Sequence, residues 1–242
     1  MFWVPNRLSL GRALVAALLA ATAAAAAANV LVVRSAGPSA KSYPPGRSLP
    51  DNARITLRGG DTVVILDSRG TRTFRGPGTF TPASGAQAAQ SVQGTEGRRA
   101  RIGAVRSAGL VPASPTTIWD VDVTQSGTAC LAGTSDVRLW RPDPSLPATL
   151  TIAGPGATPH TVQWPAGTAT VAWPSALPIA DGAEYRLSLT GSPVPATIRV
   201  KTLSAPPADL QAVAESLIAN DCPEQLDLLV ATAPAVEAGA DQ

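Results

Sequence analysis

A single histidine and two cysteines set narrow bounds on the chemistry open to this 242-residue chain. Zinc is held mainly by histidine and cysteine, and one imidazole with two thiols 92 positions apart does not indicate such a site. His160 could in principle serve a Ser-His-Asp site, but it follows Ala157-Thr158-Pro159 in a proline-flanked loop. No G-x-S-x-G nucleophile turn is present to partner it. Gly76-Pro77-Gly78 and Gly154-Pro155-Gly156 are turns, since neither leads into Lys-Ser/Thr and a helix as a phosphate loop does. Asp120 and Asp122 alternate with Val121 and Val123, which puts both carboxylates on one strand face. Two carboxylates fall well short of the roughly 6–8 oxygens that calcium takes, so a solvated face is expected. These residues assign no catalytic group, metal or cofactor, and the expectation is a non-enzyme.

Residues suited to binding are more numerous. Residues 29–106 hold twelve basic groups and four acids, and residues 107–242 hold five and thirteen. That reversal marks two regions with different surfaces. The basic region offers Arg54, Arg58, Arg69, Arg72, Arg75, Arg98, Arg99 and Arg101 as a face for an anionic partner, or as a solvated surface drawn to the acidic half. Trp119, Trp140 and Trp164, with Trp173, all lie in the second region. Tryptophan either stacks on a ligand such as a sugar or fills a core. At least two of the four are expected inside, and Trp119, Trp140 and Trp164 are the candidate aromatic contacts.

The elements that must position these groups are short. Alanine inflates the 45% hydrophobic share, aromatics are only 4%, and there are 21 Gly and 23 Pro. This composition suits brief strands joined by turns rather than helical bundles. Strand patterns run over 29–34, 53–57, 61–67, 71–75 and 78–81, then restart at 118–123 and continue through 128–132, 137–140, 149–152, 162–164, 168–173, 185–190 and 197–202. Leu210, Val213, Ala214, Leu217 and Ile218 fall at helical spacing, Asn220 to Pro223 break the pattern, and Leu226, Leu229 and Val230 resume it. The expected organisation is mainly β. A small β module spans 29–83, a Ser/Gly/Gln-rich linker 84–115, a β-sandwich 116–203, a helical hairpin 207–232 and a disordered tail 233–242.

The first 28 residues read as targeting. Arg7 and Arg12 precede an apolar run from Ala13, and Ala26-Ala27-Ala28 offers a signal-peptidase site before Asn29. The alternative is an inner-membrane anchor over 13–33, long enough to span a bilayer. Either way the remainder lies outside the cytoplasm, in the periplasm or beyond. Export argues against nucleic acid as the ligand of the arginines and for a Cys130–Cys222 disulfide. Cys130 ends the strand-like stretch 128–131 and Cys222 sits at the helix break, so the bridge would tie the hairpin to the sandwich sheet.

Two stretches carry a family resemblance. Gly46-Arg-Ser-Leu-Pro-Asp-Asn-Ala-Arg-Ile-Thr-Leu-Arg-Gly-Gly-Asp-Thr-Val-Val-Ile-Leu66, followed by Gly70-Thr71 and Gly76-Pro77-Gly78, resembles the FecR-type β-domain of bacterial periplasmic signalling and envelope proteins. Leu139-Trp140-Arg141-Pro142, Val171-Ala172-Trp173-Pro174 and the stretch from Asp181 to Leu189 resemble a fibronectin-III or Ig-like sandwich. There Trp173 and Tyr185 would be core or corner residues. The cytoplasmic anti-sigma helices of full FecR regulators are missing, so no direct sigma-factor role is implied. The resemblance implies an exported binding or signalling protein that contacts another envelope protein through strand edges or its basic face. The competing class is a carbohydrate- or peptidoglycan-binding module using exposed tryptophans.

Overall fold

The apolar run Val30–Val33 is a strand with both faces covered, and the fold follows from that. The structure, a computed structural model, describes residues 29–83, 114–203 and 209–236. Expectations for residues 1–28, for the linker up to residue 113 and for residues 237–242 lie outside the described residues.

Six strands make the first module: β1 (Asn29–Ala36), β2 (Ser48–Pro50), β3 (Ile55–Leu57), β4 (Thr62–Asp67), β5 (Gly70–Arg75) and β6 (Gly78–Phe80). β2-β1-β4-β5 form an antiparallel sheet, and β3 pairs with β6. Side chains alternate across a strand. Val30, Val32, Val63 and Ile65 therefore point to one core, with Phe74 and Phe80 stacked at 5.2 Å. Leu31, Val33, Val64 and Leu66 point to the opposite face and a different core. A strand buried on both sides needs a continuous apolar run rather than alternation, which is why this segment also has the composition of a membrane span. No helix among the described residues is long and apolar enough to cross a membrane.

The second module is two sheets facing each other. β7 (Val121–Asp122), β9 (Arg138–Trp140) and β12 (Thr170–Ala172) form one, in the order β12-β9-β7. β8 (Gly127–Leu131), β10 (Ala148–Ala153), β11 (His160–Trp164), β13 (Glu184–Leu189) and β14 (Ala196–Thr202) form the other, in the order β11-β10-β13-β14-β8. The β14–β8 and β7–β9 pairs are parallel. Val121 and Leu139 from the smaller sheet meet Leu150, Ile152, Leu187, Ile198 and Val200 from the larger. Trp173 lies edge-on to Tyr185 at 5.0 Å. The Tyr185 hydroxyl donates to the Pro178 carbonyl at 2.9 Å and accepts the Ala180 N–H at 3.0 Å, fixing the corner before β13.

Helices α1 (Leu210–Ala219) and α2 (Pro223–Thr232) form the hairpin. Asp209 caps α1 through the Ala212 N–H at 2.8 Å. Asp221 takes the left-handed φ of 55° at the break, and Pro223 opens α2. The apolar stripe Ala214, Leu217, Leu226 and Leu229 packs on Leu31, Val33, Val64 and Leu66 of the first module. The expected tie to the sandwich sheet is present as well: the hairpin covers the β1–β4 face on one side, and on the other α2 meets β8, where Cys130 is bonded to Cys222 with Cα atoms 6.1 Å apart. Both cysteines are buried in that same cluster.

The tail expectation is corrected in part. Residues 233–236 are ordered against β5: Ala235 bridges Thr71 in parallel, the Thr71 N–H donates to Pro234 at 2.8 Å, and the Val236 N–H donates to the Thr71 carbonyl at 2.9 Å. Edge strands carry main-chain groups that seek such partners. Gly70 permits the approach, since a Cβ there would lie 2.1 Å from the Pro234 oxygen.

Candidate functional site

His160 begins β11 opposite Ile152 and is half-buried, so it belongs to a sheet edge rather than to a loop. No group of three His, Cys, Asp or Glu residues able to hold a metal occurs among the described residues. The two aspartates expected on one solvated face are separated. Asp120 is buried, paired with Arg138 at 2.8 Å, and accepts the Thr117 N–H at 3.1 Å. Asp122 accepts the N–H and hydroxyl of Thr124 in a turn. Strand β7 has only two residues, so Asp120 lies in the preceding turn and strand alternation does not extend to it.

The aromatic platform does not form. Trp140 and Trp164 are 3% and 1% exposed. The Trp164 indole N–H donates to the Thr168 carbonyl at 2.8 Å, and the Arg141 guanidinium lies 5.2 Å above its ring. Arg141 is itself buried, held by the Pro144, Pro165 and Thr168 carbonyls. Trp119 is half-buried against the hairpin cluster. In a sandwich this poor in aromatics, the tryptophans supply the bulk that fills the interior.

The basic face is corrected at one residue and sharpened at three. Arg72 is buried, paired with Asp67 and donating to the Pro82 carbonyl, so it is part of the module's interior. Arg69 also reaches Asp67, at 3.2 Å. Arg54, Arg58 and Arg75 are exposed, and among the described residues none of them forms a salt bridge. Arg98, Arg99 and Arg101 lie outside the described residues. One contact does join the two charge regions: Arg34 of β1 pairs with Asp227 of α2.

Two of the module's three acids, Asp61 and Asp67, are buried, and the third, Asp51, is half-buried. Asp61 is buried and accepts the N–H groups of Ser39 and Arg58. Burial alone would raise its pKa, but the hydrogen bonds from Ser39 and Arg58 and the Arg58 charge outweigh that and hold the carboxyl below its ordinary value. Gly37 has φ 99°, and a Cβ there would meet the Asp61 carboxylate at 2.5 Å. Asp61 thus pins the Gly37–Ser39 loop to the turn before β4.

Three features escaped the sequence reading because they are made only by the fold. The Gln225 amide seals the outer edge of β8 by bonding both main-chain groups of Cys130. The 233–236 strap takes the start of the β5 edge. A cleft of about 150 Å³ between β7, β8 and α2 is lined by Val121, Thr128, Ile198, Glu224 and Leu228. It is smaller than the roughly 300 Å³ at which small-molecule pockets begin.

The fold defines a mainly-β protein of two β modules, bridged by a disulfide-tethered helical hairpin. No family model, no curated protein and no solved structure matches the chain.

Proposed function

We propose that this chain is an exported, non-enzymatic binding or signalling protein of the bacterial envelope, acting by contact with another envelope protein through the basic side of its first module. The observation that carries the reading is the exposed charge there: Arg54, Arg58 and Arg75 are exposed and form no salt bridge among the described residues, while Asp61 and Asp67 are buried. Such a surface steers an anionic partner by long-range attraction, most strongly at low salt. The Cys130–Cys222 bond supports the oxidising compartment. The n-region, apolar run and Ala-x-Ala site support export. The FecR-like turn rhythm adds a signalling context. The burial of Trp140 and Trp164 disfavours the glycan-binding alternative.

A photo-crosslinking residue placed at Arg54, Arg58 or Arg75 in cells should give a discrete product that is lost when the neighbouring arginines are reversed to Glu. The same residue at Arg186, exposed on the sandwich, should give none. Equal products from both modules, or none from the first, overturn the reading. Mass spectrometry of the envelope fraction should find a mature chain beginning at Asn29; an intact segment from Met1 through Val33 would mean an anchor.

A further inference from the structure

We propose that the open part of the β5 edge, at Thr73 and Arg75, is a strand-addition site for an extended acidic segment of the partner protein. This inference rests on the protein-contact reading above and names where and how that contact is made.

The main chain supplies the first argument. Thr71 sends both its N–H and its carbonyl outward: the N–H donates to the Pro234 carbonyl, and the carbonyl accepts the Val236 N–H. Along an antiparallel strand, successive residues turn these groups alternately toward and away from the neighbour. The β4–β5 register has no shift, so Thr73 and Arg75 point outward in the same way as Thr71. Among the described residues nothing pairs with their outward groups. The edge therefore already accepts a parallel strand at Thr71, and its next two positions continue that interface.

Charge and side-chain alternation specify the occupant. Thr73 and Arg75 are exposed, on the sheet face shared with Val64. Arg72 and Phe74 point to the other face and are buried. An added strand would set one row of side chains beside Arg75 and the other beside the rim of the Phe74 core. Alternating acidic and apolar residues fit both rows. A second copy of this edge would place arginine against arginine. The chain's own residues after Val236, Glu-Ala-Gly-Ala-Asp-Gln, are poor strand formers.

The test uses the full mature chain and a synthetic peptide of alternating glutamate and valine, with its lysine-valine counterpart as control. Residue-resolved hydrogen exchange should slow at the Thr73 and Arg75 amides by at least about tenfold when the acidic peptide binds. Binding should weaken with added salt and fall about tenfold in Arg75→Glu. Thr73→Pro removes only the outward N–H, a substitution edge strands tolerate, and should abolish binding without lowering the melting temperature. The proposal is overturned if the acidic peptide binds while those amides exchange freely, or if the lysine peptide binds equally well. It is also overturned if the amides are slow in the free chain and become fast when the chain is ended after Val236, or if their protection rises with protein concentration alone. Crosslinking from Arg54 and Arg58 separates the two failures. If it persists while the edge test fails, the protein contact stands and only its mode is wrong.

Discussion

The side-chain amide of Gln225 stands to the main chain of Cys130 as a neighbouring strand would. Its Oε1 accepts the Cys130 N–H at 2.6 Å, and its Nε2 donates to the Cys130 carbonyl at 2.8 Å and to the Ile118 carbonyl at 2.6 Å. Among the described residues β8 is the last strand of its sheet and pairs only with β14, so these groups would otherwise lack a strand partner. The Cys130 sulfur is bonded to Cys222, three positions before Gln225. One strand residue is thereby held to α2 through both its backbone and its side chain.

Replacing this amide should be costly. Gln225→Leu leaves three main-chain groups without partners and should lower stability by about 2–3 kcal/mol, read from urea unfolding. Gln225→Glu keeps an acceptor for Cys130 but turns a carboxylate oxygen toward two carbonyls. It should lose at least as much at neutral pH and recover on acidification, when the protonated carboxyl can donate. A loss below about 0.5 kcal/mol in Gln225→Leu would make the clip energetically idle.

The disulfide closes a loop with a sequence separation of 92 residues. In the chain-entropy account such a closure stabilises by about 4–5 kcal/mol, less any strain. Reduction, or Cys130→Ala with Cys222→Ala, should shift the urea midpoint accordingly. Thiol titration of the unfolded, unreduced protein should find no free sulfhydryl, and two reactive thiols would contradict the pairing.

Acid should weaken the first module through Asp61. Its folded pKa is depressed below the ordinary 3.8, so its stabilisation is fully present above that value and disappears as the pH falls through the lower folded one. Asp143 and Asp181 shift the same way, Asp143 through the hydroxyl and N–H of Ser145, and Asp181 chiefly through the Thr202 N–H. Asp61→Asn should be less stable at pH 7 and lose less on going from pH 5 to pH 2. An unchanged acid profile in this variant would remove Asp61 from the acid response.

The hairpin couples the modules, so Leu217→Ala should be felt by both. Leu217 is fully buried among β1, β4 and the helices, where truncation costs about 3–5 kcal/mol. Calorimetry of the intact chain should show one transition, and the variant one transition at lower temperature. Two separate transitions, only one of them moved, would mean that the modules fold independently.

Strands and helices were legible because each is governed by local pattern. The turns around Gly59-Gly60 and Ser68-Arg69 delimited β4, and the spacing of Leu210, Val213, Ala214 and Leu217 identified α1. Among the described strands only β2 (Ser48–Pro50) lacks a sequence signal, being three residues long and ending in proline. Arg72 was misread as surface because its place on β5 does not reveal which neighbour faces it. Asp67 lies five residues earlier, and the β4–β5 turn brings the two together.

Sequence alone determined the mainly-β class, the hairpin and the cysteine pairing, because hydrophobic period, turn residues and the count of two cysteines are properties of the chain read in order. Tertiary structure alone decided which side each element serves. Val30–Val33 carries two apolar faces, and no local signal says that one faces Phe74 while the other receives Leu217 and Leu226 from nearly 200 residues away. The same holds for the edges. Whether a strand's outer main chain meets a glutamine amide, as Cys130 does, a strap, as Thr71 does, or no partner among the described residues, as at Thr73, depends on what long-range packing lays beside it, because the hydrogen-bonding groups are identical at every residue.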